Sequence, residues 1–138
     1  MGVPMTVRIT GLECKLTHEP SGALIRTIPP KDNGGDGSSF SPTDLIGAAL
    51  ASCALSTMAI LAPKEGLTFG EASACVEKEM IGPPRRIGSL TVVITMPAST
   101  KPEQRARLEE IARGCPVARS LHPELQVPMS FVFPEALG

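Results

Sequence analysis

The sequence contains no tryptophan and no tyrosine, its only aromatic residues are 4 phenylalanines, and its 13 basic residues are balanced by 14 acidic ones. Nucleic-acid binding needs a basic stripe and rings on which bases stack, and this composition supplies neither. The opening MGVPMTVRIT has no apolar core or small-residue cleavage site of a secretory signal, so the expectation is a cytoplasmic protein. Thiols stay reduced in that compartment. The 4 cysteines are therefore not a static disulfide framework, which leaves redox chemistry, a metal or packing. No closely spaced ligand pair of the zinc kind occurs. A metal site would have to draw on Cys53, Cys115 and His122, and no metal is expected.

One absence of charge is local: from Leu45 to Ala62 there is none. Ser41 as N-cap, Pro42 as first helical residue and Asp44 three after the cap start a helix that Pro63 should stop, giving a helix over Pro42–Ala62. Its length alone suits a membrane span. Alanine, serine, glycine and threonine dominate it, however, and it lacks basic or aromatic flanks, so burial by protein is expected instead. One small sheet covers one side of such a helix. A second copy of the chain is expected on the other, approaching closely at Gly47, Ala48, Ala51 and Ala54.

With 138 residues, 42% of them hydrophobic, the chain suits a single domain over 1–138. Thr6–Leu16 and Ala23–Ile28 read as strands, and Pro29–Ser39 as a glycine-rich loop, either beside a site or a plain connection. Thr68–Met80 and Arg86–Pro97 read as an antiparallel hairpin, Pro102–Arg113 as an amphipathic helix stopped by Gly114, and Gln126–Phe133 as a closing strand. The order is that of an α+β fold with mostly antiparallel pairing.

Cys115 stands before Pro116, as the N-cap of a short helix, where the helix dipole and free N–H groups should ease its ionisation. Cys53 lies mid-helix, on a stripe with Ile46, Ala49, Leu50, Thr57 and Ile60, and as a nucleophile it would need a partner such as an arginine. Inert packing is the alternative for either. Cys14 and Cys75 read as core or strand residues, and His122, before Pro123, as the end of a short helix.

FSPTDLIGAALASC, ending at Cys53, followed by CPVARSLHP from Cys115, resembles the OsmC/Ohr family of osmotically induced and organic hydroperoxide resistance proteins. The resemblance covers nearly the whole chain. It implies an OsmC-like fold, with antiparallel sheets wrapped around long central helices in an intertwined homodimer. It also implies a thiol peroxidase that reduces organic hydroperoxides without a cofactor, Cys53 attacking the peroxide and Cys115 resolving it. The reductant it implies is a dithiol, often on a lipoylated protein. In the family a glutamate after the proline of the first motif holds an arginine over the reactive thiol; here Thr43 takes that place. Arg26, just before the glycine loop, is the favoured arginine, with Arg8, Arg85 and Arg86 as alternatives. Phe40, Met58, Phe69 and Met80 are expected to form an apolar substrate pocket. The competing reading is a binding or redox-sensing protein of the same fold with little turnover.

Overall fold

Gly11 and Gly22, at φ 61° and 73°, reverse the chain twice before Thr27, so three short strands form and the run expected over Thr6–Leu16 is broken. The computed structural model describes residues 1–135, and the chain divides into two compact units, Met1–Ile46 and Gly47–Gly138.

In the first unit β1 (Met5–Thr10), β2 (Glu13–His18) and β3 (Ala23–Thr27) pair antiparallel in that order. The register Val7↔Leu16↔Ile25 and Ile9↔Cys14 collects apolar side chains on one face, while Arg8↔Lys15↔Arg26 marks the other. Val7, Ile9 and Ile25 on the apolar face are all exposed. The glycine loop is tied down locally: Asn33 and Gly35 donate to Pro30 O, each at 3.0 Å, and Ile28 N–H donates to Phe40 O at 3.0 Å.

Helix α1 (Pro42–Lys64) starts where the capping residues require. Asp44 N–H donates to Ser41 Oγ at 3.1 Å, and Ser41 N–H donates to Asp44 Oδ2 at 2.8 Å, a reciprocal capping box. The helix passes through Pro63 where a stop was expected. A proline in the last turn forfeits only its own N–H bond, and Glu65 N–H still reaches Leu61 O at 3.2 Å.

In the second unit β4 (Ser73–Ile81) and β5 (Arg86–Thr95) form the expected hairpin. The closing strand is shorter than expected, β6 (Met129–Val132), and runs parallel to β5. It is preceded by a 3-10 turn at Pro102–Gln104, then α2 (Arg105–Arg113) and α3 (Pro116–Ser120), which return the chain to the starting end of β5. The architecture is α+β, as the order of elements anticipated. The core joins Leu50, Ala54 and Met58 of α1 to Leu90, Val92 and Ile94 of β5 and to Leu108 and Ala112 of α2.

Gly47, Ala51 and Ala54 of α1 serve this chain's own core, while Ala48 is half-buried. A Cβ on Gly47 would meet Leu90 Cδ2 and Val76 Cγ1, each at 3.3 Å, and Ala51 and Ala54 are buried in the same core. The close approach assigned to a second copy is thus made by β4 and β5. The side of α1 left open carries Ile46, Ala49, Ser52, Ser56, Ala59 and Ile60, all exposed. The helix also meets the length and composition of a membrane span, with 33% of its most apolar stretch buried.

Candidate active site

Cys53 and Cys115 come together although 62 positions separate them, because α1 and the α2–α3 junction pack on the same core. Cys53 projects from α1 half-buried; its Sγ lies 3.9 Å from Thr57 Oγ1 one turn on, and it accepts the Val117 N–H at 3.5 Å. Cys115 is the N-cap of α3, as its sequence position indicates, with φ −64° and ψ 154°. Pro116 follows it without loss, since the first N–H of a helix has no partner inside the helix. Both thiols are free.

The ionisation expected of Cys115 is reversed. Burial pushes its thiol above the usual range, and the adjacent Cys53 thiol pushes the same way. The N–H groups of Ala118 and Val117 pull downward, as a helix N-terminus should, but they do not outweigh the desolvation. The side chain is fully enclosed in the core, where an anion loses its water.

Beside the pair is a cavity of about 440 Å³ lined by Thr57, Ile60, Leu61, Gly114, Pro116 and Arg119. Its walls differ from the residues expected to bind substrate. Met58 is sealed in the core, because it falls on the sheet-facing side of α1, and Phe69 packs partly buried against that core. Met80 belongs to β4, where the register shifts, and Phe40 is an exposed residue of the first unit. None of the four lines the cavity.

Arg26 lies in the first unit, 3.2 Å from Glu13 Oε2 and donating to Ser38 Oγ at 3.1 Å. Among the alternatives, Arg8 lines a small polar hollow with Thr10, Glu13 and Lys15, and Arg86 lies 3.8 Å from Glu124. Thr43 Oγ1 is 3.2 Å from Ser41 Oγ, beside the cap. Cys14 is half-buried in β2, while Cys75 is exposed on β4 on the side of Glu77 and Glu79, so it is a strand residue outside the core. His122 lies beyond the end of α3, and its Nδ1 accepts the Glu124 N–H at 3.1 Å. No cluster of three or more metal-ligating side chains occurs among the described residues. Sequence reasoning missed Val117 N–H, which any residue type would supply, and Arg119, whose signal was its position one turn after Cys115.

The OsmC-like protein family model matches residues 35–130, a span that holds both cysteine motifs. The chain belongs to the OsmC-like family. A crystal structure of a candidate osmotic stress induced and detoxification response protein from Psychrobacter arcticus 273-4 is 32% identical, with a TM-score of 0.87 over 95% of this chain and 97% of that one. Two more distant structures share the fold. An organic hydroperoxide resistance protein OsmC from Legionella pneumophila is 16% identical, with a TM-score of 0.76 over 96% of this chain and 97% of its own. The organic hydroperoxide resistance protein OhrB of Bacillus subtilis is 16% identical, with a TM-score of 0.69 over 95% and 98%. No curated protein matches the OsmC-like chain by sequence.

Proposed function

We propose that this OsmC-like chain is a cytoplasmic, thiol-dependent peroxidase of organic hydroperoxides. The Cys53 thiolate attacks the outer oxygen of the O–O bond, the bond breaks, and the alkoxide leaves and takes a proton as the alcohol, with Cys53 left as a sulfenic acid. The Cys115 sulfur then attacks the Cys53 sulfur, expelling water and closing a disulfide. A dithiol reductant, a lipoyl group on a protein being the class the family resemblance implies, returns both thiols. The observation that carries this reading is the meeting of Cys53 and Cys115 at the start of α3, where Val117 N–H reaches the attacking sulfur. Arg26 remains the proposed activating cation on the family resemblance alone.

The reading includes an obligate homodimer of one OsmC-like domain per chain. Ile46 and Ile60 of α1, and separately Val7, Ile9 and Ile25 of the first unit's sheet, are exposed apolar side chains that a second copy would cover.

The test is stoichiometry. One equivalent of cumene hydroperoxide should remove two free thiols and give a Cys53–Cys115 disulfide, with Cys14 and Cys75 unchanged. Cys53→Ser should consume none, and Cys115→Ser should react once and stall as a sulfenic acid that a dimedone probe traps. Peroxide consumption by Cys53→Ser would refute the assignment. The second reading, a redox sensor with little turnover, draws on the suppressed ionisation of the buried Cys115 thiol and on Thr43 in place of the glutamate. It requires disulfide formation without sustained turnover when a dithiol is supplied.

A further inference from the structure

Gly114 ends α2 at φ −95° and ψ 17°, a conformation that does not demand glycine. The demand comes from space. A Cβ there would sit 3.3 Å from Arg119 Nη2, so the guanidinium would have to give by a few tenths of an ångström, while Glu110 O at 3.5 Å and Arg119 Nε at 3.8 Å would be in ordinary contact. Arg119 Nε donates to Gly114 O at 2.7 Å, and Arg119 N–H donates to Cys115 O at 3.1 Å. One residue thus holds the carbonyls of both peptide groups that flank the Cys115 Cα. From the α2 side, Gly114 N–H reaches Glu110 O at 3.1 Å and Cys115 N–H reaches Ala112 O at 3.3 Å. Arg119 forms no ion pair among the described residues, so no carboxylate explains where its side chain lies.

We infer that Arg119 is a positioning residue that fixes the Cys115 backbone opposite Cys53, and that Gly114 is glycine in order to admit its guanidinium. The inference rests on the proposed redox pairing of the two thiols. Fixing one partner before reaction raises the effective concentration of the other, since less freedom is lost when the bond closes. Glutamine at 119 carries its amide nitrogen as many bonds from the backbone as arginine carries Nε. It therefore keeps the donor and drops the charge.

The experiment uses glutathione and needs no hydroperoxide. In a redox buffer, Cys53 and Cys115 thiols and one glutathione disulfide exchange for the protein disulfide and two reduced glutathiones, and the equilibrium constant is the effective concentration. Mass spectrometry of the Cys53–Cys115 peptide reads it, with melting of the reduced protein as control. Arg119→Ala should lower the constant at least tenfold, Arg119→Gln less than threefold, and Gly114→Ala at least threefold. The double variant Gly114→Ala/Arg119→Ala should be no worse than Arg119→Ala, because both changes remove one contact. Arg119→Ala within twofold of wild type, glutamine falling as far as alanine, or losses that multiply in the double variant would each overturn the inference. A wild type that melts normally and forms no disulfide would overturn the redox pairing as well, whereas normal exchange without peroxidase activity would remove only the peroxidase reading.

Discussion

The backbone N–H of Val117 donates to the sulfur of Cys53 at 3.5 Å, so the mid-helix thiol of α1 is served by the N-terminus of α3. A thiol in the middle of a helix gets nothing from its own helix dipole. The donor it needs arrives from a segment 64 residues away.

Cys115, with its thiol pushed up by burial, is protonated at neutral pH. Disulfide closure after the first oxidation should therefore accelerate as pH rises from 7 to 9, and iodoacetamide should modify exposed Cys75 before Cys115 at pH 7. Peptide mapping of a time course checks this, and faster labelling of Cys115 would contradict the enclosure.

The same shift makes stability depend on pH. A thiol that ionises later in the folded than in the unfolded chain contributes stability that is whole below the unfolded value of about 8.5 and is lost as pH rises through the folded value. Urea midpoints of reduced wild type should fall above about pH 8.5, and Cys115→Ala should lack that component. Parallel curves for the two would show that the shift is absent.

Substrate preference should follow the cavity walls. Ile60, Leu61 and Pro116 offer apolar surface, and each buried CH₂ of a substrate contributes about 0.8 kcal/mol. Cumene hydroperoxide should exceed hydrogen peroxide more than about tenfold in kcat/KM, since about 1.4 kcal/mol suffices for that factor. Ile60→Ser should shrink the ratio. Met58→Ala, cutting into the sealed core, should instead cost about 2–5 kcal/mol of stability, read by denaturant melting. Equal rates with the two peroxides would contradict an apolar site.

Ser41→Ala should cost about 0.5–2 kcal/mol in the same melts, because it strips the acceptor from Asp44 N–H at a buried cap. Arg26→Ala should slow the first thiol oxidation by at least tenfold if Arg26 is the activating cation, and stopped-flow thiol loss reads it. An unchanged rate would leave its pairing with Glu13 and Ser38 as its role.

Analytical centrifugation should find a dimer at micromolar concentration, and Ile60→Glu should weaken it. A folded wild-type monomer would show that the exposed apolar side chains of α1 are covered in some other way.

Local chemistry could be read from the sequence because it is set by neighbours in the chain. Ser41, Pro42 and Asp44 specified the start of α1, Gly114 the end of α2, and Cys115 before Pro116 an N-cap; the two cysteine motifs carried the family. Long-range packing decided the rest. Which side of α1 meets the sheet put Met58 in the core and left Ile60 at the cavity, a choice that an uncharged helix with alanines on every side does not announce. The direction of β6 depended on where α2 and α3 return the chain. The ionisation of Cys115 turned on how completely the fold encloses it, and desolvation there prevailed over a helix N-terminus that the sequence had already made plain.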